Sequence, residues 1–205
     1  GSVLVHSTAA IAAPTVQRIM DVEIIWEITP DGKIHAHIIG NKNPEFPELP
    51  RFGVRMFLNK YADRVTYYGM GPQESYCDKH QGAGHGWSRA SVEEMHEDYI
   101  RPQENGSHYD CDYVEVADGQ TGLAATGRAF SVNVSPYTQE ELERTVHNYE
   151  LTEADSTILC LDYALNGIGS NSCGPEVAEP YRLDGENIDF RFTLVPFNRE
   201  RRWKD

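Results

Sequence analysis

No stretch of this 205-residue chain approaches the roughly 18 consecutive apolar residues that a membrane-crossing helix requires, and no basic-then-apolar leader opens it. Basic residues are scarce as well: Lys and Arg number 18 against 32 Asp and Glu, a formal net charge of −14. A surface so acidic is repelled by the phosphates of nucleic acids and by anionic lipid headgroups, so neither a nucleic acid nor a membrane is expected as a partner. Only four cysteines occur (Cys77, Cys111, Cys160 and Cys173), without the dense pairing of a disulfide framework. They read as free thiols in a reducing compartment, which makes the cytoplasm the default location. A Gly-x-Ser-x-Gly elbow and a P-loop are absent. The glycines of Gly69-Met-Gly-Pro72 have the wrong spacing for a dinucleotide fingerprint, and no helical pattern follows them.

What is present reads as β-structure. Hydrophobic content of 40% and charged content of 24% are ordinary globular values, and the length suits one sizeable β-rich domain over residues 1–205. Asp21–Thr29 alternates, with Val22, Ile24, Trp26 and Ile28 on one face, and Lys33–Ile38 alternates again through Ile34, Ala36 and Ile38. The Asp31-Gly32 pair between them predicts a hairpin. Strands are also expected at 51–58, 64–68, 109–116, 128–134 and 187–195, whereas 78–102 reads as mostly irregular with a helical turn near 91–97. One helix is expected, opened by a capping box of Thr138 and Glu141 and running to about His147. Thr157–Ala164 carries apolar groups on both faces, the pattern of a strand covered on both sides. It empties into Asn166-Gly-Ile-Gly-Ser-Asn-Ser-Cys-Gly-Pro175, whose glycines and asparagines let a backbone approach another surface closely.

Three other patterns bear on chemistry. Cys77, His80 and His85 have metal-like spacing but lack the tight pairs of structural zinc modules, so they read as ordinary loop residues, as do the strand histidines His35 and His37. Glu93, Glu94, Glu97, Asp98 and Glu104 form an acidic run of the kind that is usually solvated, and no metal site or catalytic carboxylate pair is assigned from it. Asn105-Gly-Ser107 and Asn133-Val-Ser135 match the glycosylation sequon, which matters only for a secreted chain.

Five blocks occur in order: Leu49-Pro-Arg-Phe-Gly53, Tyr68-Gly-Met-Gly-Pro-Gln-Glu-Ser-Tyr76, Tyr99-Ile-Arg-Pro-Gln-Glu-Asn-Gly106, Phe130-Ser-Val-Asn-Val-Ser-Pro-Tyr137 with Gln139-Glu-Glu-Leu142, and Gly167-Ile-Gly169. Across nearly the whole chain they resemble the C-terminal domain, or small chain, of the large β-galactosidases of glycoside hydrolase family 2. The resemblance implies an all-β antiparallel supersandwich of the galactose-mutarotase type, with one short helix. It also implies a parent enzyme that hydrolyses terminal β-D-galactosides, such as lactose, with retention, and that is a homo-oligomer. The reacting glutamates, with the magnesium and sodium sites, would belong to a separate barrel domain or large chain, leaving this chain without catalytic residues or cofactors of its own. Its contribution to the galactoside pocket would be the loop after Gly169, through Asn171, Ser172 and Cys173, with Cys173 where many members place a sugar-facing tryptophan. The first strands of the family domain would precede Gly1, leaving an unpaired sheet edge that favours self-association. A stand-alone carbohydrate-binding or scaffold module is the competing reading, with Trp87, Tyr67 and Tyr76 as aromatic platforms.

Overall fold

The computed structural model describes residues 1–14, 17–169 and 176–199. Among these, the strands are β1 (Val3–Ala12), β2 (Arg18–Ile28), β3 (Ile34–Lys42), β4 (Arg51–Asn59), β5 (Arg64–Gly71), β6 (Gly84–Ser91), β7 (Ser107–Ala117), β8 (Thr121–Ser135), β9 (Ser156–Leu165) and β10 (Asn187–Asn198). The α-helix is α1 (Gln139–Arg144). The strands run in the order β1-β2-β3-β10-β8-β7-β5-β6, with β9 joining β8 to β4, and their ladders are antiparallel. The expectation of an all-β protein holds.

The hairpin between β2 and β3 forms as read, with Gly32 at φ +82° and its amide donating to Thr29 O. Met20, Val22, Ala36 and Ile38 are buried in the core while Ile28, at the strand end, stays exposed. β8 is the pivot of the molecule. Its first half, Thr121–Gly127, pairs with β10, and its second half, Ser131–Ser135, pairs with β9. Between the halves Ala129 takes a left-handed φ of 52°, and on the facing strand Asp110 does the same at 53°, where the β7–β8 register shifts. Paired bulges of this kind bend a sheet and raise its twist. The sheet therefore closes over itself, and one core joins Phe190 and Phe192 of β10 to Val132 of β8 and Leu159 and Leu161 of β9.

Burial of β9 follows the prediction: Thr157 through Asp162 are buried, and Ile158, Leu159 and Leu161 are fully enclosed. It lies between β4 and β8, so its backbone is hydrogen-bonded on both edges.

Two strands escape the sequence pattern. β6 occupies the segment read as irregular, because its Gly84, His85, Gly86, Ser88 and Arg89 offer no apolar alternation and its pairing with β5 supplies the order. β1 is exposed along its whole length and pairs with β2 alone among the described residues; Val3, Leu4 and Val5 stay 58%, 68% and 46% accessible. β8 also begins seven residues before the strand read from sequence. α1 stops at Arg144, short of the expected His147, and only half of the capping box forms. Thr138 Oγ1 accepts from Glu141 N at 3.2 Å, but the Glu141 carboxylate turns away to accept from Thr152 N at 3.0 Å. Thr138→Ala is accordingly expected to lose about 1 kcal/mol of stability, read as a lower urea midpoint at unchanged slope.

Candidate functional site

β9 ends at Leu165 and hands the chain to Asn166, Gly167, Ile168 and Gly169, the root of the glycine-rich loop. This root is fastened from three directions. Asn166 N donates to Pro50 O at 3.0 Å, and its side-chain Oδ1 accepts from Leu183 N. Gly167 N donates to Tyr181 O at 3.3 Å. Ile168 N donates to Asp78 Oδ1 at 3.0 Å. A Cβ on Gly167 would lie 2.2 Å from Asp78 Oδ2, so any larger residue here displaces the Asp78 carboxylate from its place against the loop. Asn171, Ser172 and Cys173, the residues expected to face the sugar, lie outside the described residues.

Beside the root opens a cleft of about 840 Å³, lined by Gln73, Glu74, Asp78, Lys79, Tyr99 and Gly169 among others. The Glu74 side chain is only 5% exposed and takes hydrogen bonds from Lys79 Nζ, Tyr99 OH and Gly106 N. Burial works to raise its pKa, yet these three donors hold it below the ordinary carboxylate value. Gly106 reaches it through a left-handed φ of 69°, packed so closely on Met95 O that no other residue fits.

Behind the root lies a second buried polar cluster. Arg51 at the start of β4 grips Asp162 of β9 with Nε and Nη2, at 2.9 and 2.8 Å, and reaches Glu104 with Nη1 at 3.1 Å. Asn133 of β8 joins it by donating through Nδ2 to Glu104 Oε1 at 3.4 Å, and the same group donates to Asn105 O at 2.6 Å. One cation faces two carboxylates. Burial alone would lower the guanidinium pKa, but Asp162 and then Glu104 raise it, while burial pushes both carboxyls up against the pull of Arg51. Gly53 sits against Asp162, where a Cβ would meet Oδ1 at 2.4 Å. Residues of four of the blocks, Pro50, Glu74, Tyr99 and Gly169, thus gather at the base of the loop, whereas the remaining block runs from Asn133, beside Glu104, to Pro136 and Tyr137 at the other end of β9.

Neighbouring His108 is enclosed, stacked on Tyr67 at 4.2 Å with Nδ1 3.2 Å from Met70 O. Burial lowers its pKa from 6.5 to about 4. The unfolded chain then binds a proton that the folded chain refuses, so this group's contribution to stability falls as pH drops from about 6.5 toward 4. Between pH 6.5 and pH 5 the expected loss is about 1.5 kcal/mol, and urea midpoints of His108→Gln should show a correspondingly shallower dependence.

The other candidates separate. Cys77 Sγ contacts Leu165 O and Tyr181 O, His80 bonds Tyr76 O, and His85 bonds Asp110 O. His35 pairs with Thr193, and His37 lies 3.1 Å from Asp189. Among the described residues no group of three or more His, Cys, Asp or Glu is placed to hold a metal ion. Cys77, Cys111 and Cys160 are free thiols. Glu93, Glu94, Glu97 and Asp98 are exposed, whereas Glu104 is committed to Arg51. Tyr67 and Tyr76 are buried, 1% and 2% accessible, which corrects the expectation that they form platforms; Trp87 alone of the three is exposed. Both sequon asparagines, Asn105 and Asn133, are buried, so neither can carry a glycan in this fold. No helix among the described residues is long and apolar enough to cross a membrane. Sequence reading missed the roles of Arg51, Glu74, Asp78 and Asp162, although the first two lie inside the blocks quoted above.

Fold and site together define a class: an all-β sandwich domain that ends a buried strand on a rigidly rooted, glycine-rich loop, with its buried carboxylates spent on internal ion pairs. Residues 1–194 match the family described as beta galactosidase small chain, and the chain belongs to that family. It is similar to the beta-galactosidase of Actinobacillus pleuropneumoniae, 44% identical over 187 residues or 91% of the chain, and to that of Staphylococcus xylosus, 39% identical over 172 residues or 83% of the chain. A beta-galactosidase of Arthrobacter sp. (strain B7) is 38% identical over 145 residues, 67% of the chain. The chain spans only 18%, 17% and 14% of the lengths of these relatives.

Proposed function

We propose that this chain completes the substrate pocket of a β-galactosidase acting on terminal β-D-galactosides such as lactose, while a catalytic barrel domain or large chain supplies the reacting glutamates and any magnesium or sodium. The observation that carries this reading is the fixed loop root, where Pro50, Asp78, Tyr181 and Leu183 hold Asn166, Gly167 and Ile168, the backbone that leads to residues 170–175. A loop rooted this firmly can present Asn171, Ser172 and Cys173 to a sugar at low entropic cost. Glu74, Glu104 and Asp162 are bound to Lys79 or Arg51, which disfavours their use as a glycosidase acid and nucleophile. The test combines this chain with its large chain and follows cleavage of a chromogenic galactoside. The mixture is expected to turn over and this chain alone is not. Turnover by the chain alone, or indifference to replacing residues 166–175 with a Gly-Ser linker, would overturn the reading.

A carbohydrate-binding module is favoured by one observation. Trp87 is 66% exposed and lies 5.2 Å from Tyr68 and 5.3 Å from Tyr113, an aromatic row on the sheet surface. Calorimetry with galactose and lactose separates the two readings, because the module requires millimolar or tighter binding that Trp87→Ala abolishes.

A further inference from the structure

The bend that turns β8 from β10 toward β9 also opens a wedge between those two strands. On β10 the ladder to β8 begins only at Phe192, so among the described residues Asn187–Phe190 pair with β3 alone. On β9 the ladder to β8 ends at Asp162, so Ala164 and Leu165 pair with β4 alone. These uncovered edges border a cleft of about 660 Å³, with Ala129 at the bend of β8 on one side and segment 180–183 on another. Small-molecule sites usually occupy roughly 300–1,000 Å³, and this cleft is of that size. Its lining runs against the character of the chain. Three guanidinium groups, Arg128, Arg182 and Arg191, stand there with one carboxylate, Asp189, on a protein of net charge −14. Arg191 is bound to Asp189 at 2.8 and 3.2 Å, and Arg182 to Val177 O and Glu176 at 2.7 and 2.9 Å. Arg128 is exposed and makes no hydrogen bond or ion pair among the described residues. Ser131 is 6% exposed, and its Oγ likewise has no hydrogen-bond partner among them. Unlike Asn133 Oδ1 on the same strand, that oxygen is not sealed from solvent, so a molecule in the cleft can reach it. Aromatic rings complete the lining: Tyr109 and Tyr163 are half-buried, and Tyr181 is 38% exposed.

Each feature asks something different of a ligand. An unpaired guanidinium calls for a carboxylate or phosphate, to which its fork of N–H donors is matched. Ser131 Oγ and the uncovered strand edges call for hydroxyl groups, which both donate and accept. Tyrosine rings call for an apolar face. An aromatic acid would bring the charge and the face but no hydroxyls, and a neutral sugar would bring no charge. A pyranose bearing an acid group brings all three. We propose that this cleft binds an acidic monosaccharide, a sugar acid or a sugar phosphate, with its acid group on Arg128 and a ring hydroxyl on Ser131 Oγ. The inference does not rest on the galactosidase reading, and its readout is binding and not turnover.

Isothermal titration of the full chain at low salt with galacturonate and with galactose 6-phosphate tests it. Saturable one-site binding is expected for at least one of them, about tenfold or more tighter than for galactose or inorganic phosphate. Arg128→Met, an exposed change, should weaken it about tenfold, and Ser131→Ala, which breaks no existing hydrogen bond, about threefold. Arg89→Met, equal in charge but exposed on β6, should leave it unchanged. So should Trp87→Ala, which separates this cleft from the aromatic row. Binding of the first probe alone identifies a sugar acid, of the second alone a sugar phosphate, and of both the chemistry they share. Failure of both to saturate, equal affinity for galactose or inorganic phosphate, or an Arg128→Met loss that Arg89→Met matches overturns the proposal.

Discussion

Replacing Asp162 by alanine is expected to remove about 3–5 kcal/mol of folding stability, the usual cost of stripping one partner from a buried ion pair. The Asp162 side chain is 2% exposed and takes two hydrogen bonds from Arg51, whose own side chain is 22% exposed. Without it the guanidinium keeps only Glu104, which approaches through a single nitrogen. Since a domain of this size holds only about 5–15 kcal/mol in reserve, much of the molecule should unfold at moderate urea. The mechanism has its own control. Replacing Arg51, Glu104 and Asp162 together by Met, Gln and Leu removes the charges as a set, and should cost less than Asp162→Ala alone. If the triple variant is the less stable of the two, the loss comes from packing and not from an orphaned charge.

The second large effect falls on activity. Gly167→Ala places a methyl group within 2.2 Å of Asp78 Oδ2 and 2.3 Å of its Cγ, so Asp78 must swing away and the hydrogen bond to Ile168 N is lost. The loop would then leave β9 along a different path. In the assembly proposed above, kcat/KM for a chromogenic galactoside is expected to fall about 10- to 100-fold, the scale of a displacement of roughly 1 Å at a reacting site. Stability should change far less, because Gly167 lies two residues beyond β9, outside the hydrophobic core, and the Asp78 side chain can move. A variant that folds normally and retains full kcat/KM would detach the loop root from the substrate pocket.

Much of the fold was legible in the residues. Alternation located β2, β3, β4 and β10 with the correct faces inward, and the double-sided apolar pattern of 157–164 foretold that β9 is sandwiched between neighbours. β6 was not legible, because His85, Ser88 and Arg89 give no period and its order is lent by β5. At the site, the glycine-rich loop announced itself by composition. What holds it in place did not, since Asp78 and Ile168 are brought together across the fold and no local spacing connects them. The same holds for Tyr67 and Tyr76, which share the sequence character of exposed Trp87 but lie in the core.

The chain by itself determined that β2, β3, β4, β9 and β10 form, where the hairpin turns and which strand is covered on both faces, because side-chain alternation and turn chemistry act between residues a few positions apart. Only the tertiary structure decided that Arg51 meets Asp162, 111 residues away, and that Glu74 is spent on Lys79 and Tyr99. Those meetings depend on strand order, and on the bend at Ala129 that turns one half of β8 toward β10 and the other toward β9. A charge carries no record of its distant partner; the register of the sheet supplies it.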